Sequence, residues 1–172
     1  MTPRARAARV RLLVLDVDGV LTDGGLWYGP DGEATKRFDV HDGLALAEAR
    51  RWGLEVAVVS GRTSPAVARR LADLGVTEVH QGVADKAAAL AAVLARLGLR
   101  PAEAAVMGDD LPDLAMMRKA GLALAPRTAV AEVRRAAHWV SRRPAGGGAV
   151  REAVEWLLRA RRAWPPAPSS PA

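Results

Sequence analysis

The chain has 172 residues, with 25 lysines and arginines, 19 aspartates and glutamates, three histidines and no cysteine. That length suits one domain with its own core, and the lack of cysteine excludes disulfides, Cys-ligated zinc, iron–sulfur clusters and a thiol nucleophile. The net charge of +6 gathers at the two ends around an acidic body, which gives no nucleic-acid footprint, and no apolar run approaches the roughly 18 residues of a membrane span.

Residues 1–9 form a short basic lead with Arg4, Arg6 and Arg9, too weakly apolar in its continuation for a signal peptide. Residues 11–17 read R-L-L-V-L-D-V, a continuous apolar run that predicts a buried parallel strand. The turn signal Gly29-Pro30-Asp31-Gly32 stands between two short strand patterns and predicts a β-hairpin over residues 26–38. Asp42 and Gly43 are expected to open a helix that ends near Trp52, stopped by Gly53. Residues 54–59 predict a second buried strand that ends at Ser60-Gly61-Arg62. Thr63 or Ser64 then caps a helix with Pro65 in its first turn. A short strand over 76–80 follows, and Asp85 caps a long Ala/Leu helix that ends near Gly98. Residues 104–107 form a fourth strand, running into Gly108-Asp109-Asp110. Helices over 111–120 and 128–137 enclose a fifth strand at 122–125; a sixth strand at 139–141 and an amphipathic helix over 148–162 complete the pattern. The domain is thus expected over residues 10–163, with a disordered Pro-rich tail over 164–172. Strand and helix alternate throughout, which specifies an α/β doubly wound, Rossmann-like parallel sheet.

Ligands of such sheets bind beyond the carboxyl ends of the strands. The polar residues collect there: Asp16 and Asp18 after the first strand, Ser60 after the second, Lys86 after the third, and Asp109, Asp110 and Asp113 after the fourth. Any one of them is explained as a cap or turn former, but the ensemble is not. Crowded carboxylates repel one another unless a cation sits among them, and hard oxygen ligands suit Mg²⁺, which also binds substrate phosphate. The Lys86 ammonium and the Ser60 hydroxyl would receive a phosphate dianion. One carboxylate would then attack phosphorus while another, two residues along, manages the proton of the leaving oxygen. Competing chemistries lack their signatures: there is no P-loop, no G-x-G-x-x-G, no H-E-x-x-H and no G-x-S-x-G, and His41, His80 and His138 are isolated.

The run Asp16-Val17-Asp18-Gly19-Val20-Leu21-Thr22-Asp23-Gly24 resembles the first motif of the haloacid dehalogenase superfamily of phosphatases. Ser60-Gly61-Arg62, Lys86 and Gly108-Asp109-Asp110-Leu111-Pro112-Asp113 follow in that superfamily's order. The likeness extends to Gly29-x-x-Gly32-Glu33, Lys36-x-Phe38-x-Val40-x-Asp42-Gly43, Gln81-Gly82 and residues 146–152, within its uncapped sugar-acid phosphatases. The resemblance implies Asp16 as nucleophile and Asp18 as general acid/base. It also implies Mg²⁺ held by Asp16, the Asp18 carbonyl and Asp109, with Asp110 and Asp113 ordering the metal's surroundings. Ser60, Gly61 and Lys86 would bind the phosphate and Arg62 the rest of the substrate. The implied substrate is 3-deoxy-D-manno-octulosonate 8-phosphate; the alternatives are a nonulosonate 9-phosphate such as N-acylneuraminate 9-phosphate, or a non-catalytic partner of a sugar-activating enzyme. A homotetramer with the hairpin 26–38 at its interface is implied as well, in place of a large cap domain and in the cytoplasm.

Overall fold

The computed structural model describes residues 1–164, and its first strand, β1 (Leu12–Leu15), is wholly buried. Because successive strand side chains point to opposite faces, Leu13 and Leu15 enter one core while Leu12 and Val14 enter the other. A strand buried on both faces explains the unbroken apolar run. The remaining strands of the sheet are β4 (Glu55–Val59), β5 (Glu78–His80), β6 (Ala104–Met107), β7 (Leu122–Ala125) and β8 (Trp139–Val140). Their order is β5-β4-β1-β6-β7-β8, and every pairing is parallel. The chain winds outward from β1 to β5, then crosses back to β6 and winds the other way. The reversal beside β1 opens a crevice at the carboxyl ends of β1, β4 and β6.

Helices cover both faces. One face is packed by α2 (Val40–Ala49), α3 (Pro65–Asp73) and α7 (Ala149–Ala160), which supply Ala45, Leu46, Val67, Leu71, Val154 and Leu157. The other is packed by α4 (Lys86–Leu97), α5 (Leu114–Lys119) and α6 (Ala131–Ala136), with Leu90, Val93, Met116, Met117 and Val133. The expected hairpin is β2 (Trp27–Gly29) paired with β3 (Gly32–Thr35), and Gly32 turns it with φ of +108°. It is the only insertion between β1 and α2, and the described residues hold no cap domain.

Four local expectations change. The basic lead is not featureless: α1 (Pro3–Ala7) is capped by Thr2, and Ala7 and Val10 are fully buried in the first core. α2 begins two residues before Asp42 because Asp39 caps it, its Oδ1 accepting the His41 and Asp42 N–H groups at 2.7 and 3.1 Å. Ser64 occupies the position before α3, but its side chain accepts no capping bond. Trp164, expected in the tail, packs edge-to-face on Trp52 at 5.5 Å and lies under the Arg151 guanidinium at 5.2 Å. The remainder of the expected tail, residues 165–172, lies outside the described residues. Trp139 and Trp156 stack at 5.1 Å against the first core.

Candidate active site

Asp16 directly follows β1, and its N–H donates to the Met107 carbonyl at 3.1 Å, so the sheet itself fixes its backbone. Beyond it the chain turns sharply, with the Leu21 N–H donating to the Val17 carbonyl and the Thr22 hydroxyl accepting the N–H groups of Gly19 and Gly24. Gly19 is required here. Its φ is +83°, and a Cβ would stand 2.0 Å from Asp109 Oδ2. Ser60 follows β4 and is tied to the end of the neighbouring strand β5 by its N–H to the His80 carbonyl at 2.8 Å; its Oγ accepts the Arg62 N–H. Asp85 caps α4 through the Ala88 N–H, which sets Lys86 in the first helical turn, facing the carboxylates. After β6, Asp113 folds back so that its Oδ2 accepts the N–H groups of Asp109 and Asp110 at 2.9 and 3.4 Å.

Lys86 Nζ lies 2.9 Å from Asp16 Oδ1 and 2.7 Å from Asp113 Oδ1. Asp16, Asp109 and Asp113 each present an oxygen within 4.8 Å of the others. Three carboxylates around one ammonium leave excess negative charge in a poorly solvated place. Burial and the Asp113 carboxylate push Asp16 up to about 6, against the pull of Lys86. Burial, Asp113, Asp16 and Asp110 push Asp109 up to about 7. Burial alone would lower Lys86, but Asp16 and Asp113 hold it above its usual value.

All the site residues singled out from the sequence line one open cavity of about 320 Å³: Asp16, Asp18, Ser60, Gly61, Arg62, Lys86, Asp109, Asp110 and Asp113. Asp110 is exposed at the cavity's edge, and its Oδ1 accepts the Leu111 N–H at 2.7 Å. A larger depression of about 390 Å³ beside α7 is lined by His41, Arg142, Arg143 and Arg151. Two of its arginines are already paired, Arg142 with Glu152 and Arg151 with Glu155, and it brings no comparable reactive set together.

Sequence reasoning gave no role to the hairpin residues that reach this cavity. Lys36 pairs with Asp18 at 2.6 Å and with Glu33 at 2.9 Å, and Arg62 donates to the Tyr28 hydroxyl at 3.0 Å. One signal was available. Arginine outnumbers lysine 22 to 3 in this chain, and two of the three lysines are Lys36 and Lys86. Asp42, expected at a helix start, is instead buried and accepts the Gly148 and Arg151 N–H groups at 3.2 and 2.7 Å, capping α7 from another element.

Comparison with known proteins agrees with this geometry. A family model for haloacid dehalogenase-like hydrolases matches residues 75–153. The 3-deoxy-D-manno-octulosonate 8-phosphate phosphatase KdsC of Escherichia coli K12 is 42% identical over 156 residues, covering 91% of this chain and 83% of that protein. The Salmonella typhimurium enzyme of the same name is 40% identical over 155 residues, 90% of this chain and 82% of its own. The crystal structure of the Moraxella catarrhalis phosphatase, in complex with magnesium, phosphate and KDO, superimposes with a TM-score of 0.90 at 36% identity, over 94% of this chain and 93% of that one. The cobalt-bound Haemophilus influenzae phosphatase also gives 0.90, at 35% identity, over 94% of this chain and 96% of that one. Identity at that level over nine-tenths of the chain is descent: the chain belongs to the haloacid dehalogenase-like hydrolases, in the family of the 3-deoxy-D-manno-octulosonate 8-phosphate phosphatases.

Proposed function

We propose that this chain is a Mg²⁺-dependent phosphomonoesterase that hydrolyses 3-deoxy-D-manno-octulosonate 8-phosphate to the sugar acid and phosphate. The observation that carries the reading is Asp16, held at the end of β1 beside Lys86, with Asp18 two residues on and Asp109 across the same cavity. The family relationship supplies the substrate class. Asp16 is the nucleophile: its carboxylate bonds to phosphorus as the bond from phosphorus to the sugar oxygen breaks. Asp18 gives that oxygen its proton. A water then loses a proton to Asp18 as it adds to phosphorus, phosphate departs, and the electron pair of the acyl-phosphate bond returns to Asp16. Lys86, the Ser60 hydroxyl and the Gly61 backbone hold the phosphoryl oxygens, and Arg62 contacts the remainder of the substrate.

The donor set suits the metal. It offers oxygen ligands alone, burial together with the neighbouring carboxylates raises Asp109 to about 7, and Gly19 leaves Asp109 room that a Cβ would take. Mg²⁺ would be held by Asp16, Asp109 and the Asp18 carbonyl, where it neutralises charge on the phosphoryl oxygens. Asp113, with both oxygens already engaged, orders the loop that carries Asp109, and Asp110 begins that loop's turn.

The homotetramer belongs to the same proposal, with the hairpin 26–38 between copies. Leu26, Trp27 and Tyr28 are 41%, 63% and 65% exposed, an apolar surface that a neighbouring copy would cover. No helix among the described residues is long and apolar enough to cross a membrane.

The test is phosphate release with Mg²⁺ from a panel that includes octulosonate 8-phosphate and N-acylneuraminate 9-phosphate, wild type beside Asp16→Asn. Preference for the octulosonate, abolished in the variant, is the expected result. Broad weak turnover would discard the named substrate, and no release from a folded, metal-loaded protein would favour a non-catalytic partner.

A further inference from the structure

The hairpin returns to the body of the protein through Lys36, and the side chain of this lysine is wholly covered. Burying an ammonium costs several kcal/mol unless it is paired, and here two carboxylates pair it. Asp18 Oδ1 lies at 2.6 Å and Glu33 Oε2 at 2.9 Å. The contact takes one specific oxygen of Asp18. The other, Oδ2, accepts no hydrogen bond among the described residues; Arg62 Nε stands 3.6 Å from it, beyond good hydrogen-bond range. Arg62 is itself drawn toward the hairpin by the Tyr28 hydroxyl and by Glu33.

Asp18 has little else to orient it. Asp16 is set by the sheet and by Lys86, whereas Asp18 stands in the turn beyond β1, where its side chain takes one hydrogen bond among the described residues, from Lys36. An exposed or merely structural ion pair would serve as well with arginine, in a chain that uses arginine 22 times and lysine three. A compact ammonium between two carboxylates is a different requirement from a planar guanidinium fork.

We propose that Lys36 is a positioning residue for the reaction: by occupying Oδ1 it fixes the plane of the Asp18 carboxyl and leaves Oδ2 to exchange the proton with the leaving oxygen and the attacking water. Glu33 holds Lys36 in place. The inference rests on the reading of Asp18 as the acid/base. Since Lys36, Glu33 and Tyr28 all belong to the hairpin, seating the hairpin and aligning Asp18 are one event.

The experiment compares kcat/KM for para-nitrophenyl phosphate and phenyl phosphate with Mg²⁺, in wild type, Lys36→Met, Lys36→Arg and Glu33→Gln, with Asp16→Asn as control. Both substrates lack the sugar and its carboxylate, and nitrophenolate leaves with little need of a proton. Loss of acid positioning therefore falls on phenyl phosphate. General acid catalysis is worth about 10²–10⁴-fold, so Lys36→Met is expected to lose at least about tenfold more on phenyl than on nitrophenyl phosphate. Lys36→Arg recovers part of the difference, and Glu33→Gln shifts the ratio the same way by a smaller factor. Equal losses on both substrates would mean a purely structural lysine and overturn the inference. Should Lys36→Met fail to fold, the ratio in Glu33→Gln decides alone. Turnover retained by Asp16→Asn would instead sink the phosphatase mechanism, and this inference with it.

Discussion

Glu152 stands in the first turn of α7 and gathers the loop that precedes it. Its Oε2 accepts the Ser141 hydroxyl at 2.6 Å and the N–H groups of Arg142 and Arg143 at 2.8 and 3.3 Å, while Oε1 accepts Arg142 Nε at 2.7 Å. In Glu152→Gln the amide oxygen can keep the three bonds at Oε2, but the amide nitrogen then faces Arg142 Nε, donor to donor. That side chain is 91% exposed and swings into water, so the fourth bond costs little. The three retained bonds lose their charge, at about 0.5–1 kcal/mol each, and the first turn of α7 loses a favourable negative charge worth about 0.5 kcal/mol. The expected destabilisation is about 2–3.5 kcal/mol, or about 4–14 °C in Tm for a chain of this size. Burial pushes the Glu152 carboxyl up, but Ser141, Arg142 and Arg143 outweigh it and hold it below its usual 4.5. A depressed folded-state value stabilises fully above the unfolded value and is lost as pH falls through the folded one. The gap between wild type and variant, read by urea melts, is therefore constant at neutral pH and closes only below pH 4.5. A gap under about 0.5 kcal/mol, or one unchanged far below pH 4.5, would refute the reasoning. The loop matters for the site too. The Gly146 N–H reaches the Val20 carbonyl at 3.3 Å, so loosening it also lowers kcat by a smaller factor.

Gly19→Ala places a methyl where the Asp109 carboxyl stands and forces a left-handed backbone on a residue that resists it. The chain is expected to fold with a loss of about 1–2 kcal/mol, while kcat/KM falls about 10²-fold; near wild-type turnover would mean that Asp109 does not need its place. Mg²⁺ is expected to raise Tm, by about 2.7 kcal/mol of stabilisation at a hundredfold excess over its Kd. Asp16 and Asp109 have folded values of about 6 and about 7, above the unfolded 3.8, so the metal-free fold binds more protons than the unfolded chain and loses stability as pH rises through that window. The Mg²⁺ shift should therefore be largest above pH 7 and small at the acid end, where protons compete for the same oxygens. An equal shift in Asp109→Asn would place the metal elsewhere.

What the sequence revealed follows from which interactions are local. The strands β1, β4, β6 and β7 announce themselves because burial on both faces demands unbroken apolar runs. The polar residues that end them, Asp16, Ser60 and Asp109, are conspicuous for interrupting those runs. Asp39 and Asp42 are equally good caps three residues apart, and only the fold sends one to α2 and the other across to Gly148 and Arg151. α1 is a five-residue helix with one buried alanine, far below the length at which periodicity speaks. Lys36 and Asp42 both stand in a motif the sequence displays, but their partners do not: Asp18 lies 18 residues before Lys36, across a hairpin whose seating no local pattern encodes.

The two aspartates that begin the catalytic run thus owe their places to different parts of the molecule. Asp16 is an extension of the sheet, its backbone bonded to β6 and its carboxylate to a lysine at a helix start, and such placement is rigid. Asp18 is held from the hairpin, an element with exposed aromatic residues on its outer side and one covered lysine on its inner side. In a fold with no cap domain among its described residues, the hairpin touches the site through Lys36 on Asp18 and through Tyr28 and Glu33 on Arg62. On the proposed mechanism the nucleophile and the phosphate cradle would belong to the sheet and suit any phosphomonoester. The alignment of the proton donor, and with it the choice among leaving groups, would then belong to the hairpin that carries Leu26, Trp27 and Tyr28 on its exposed side.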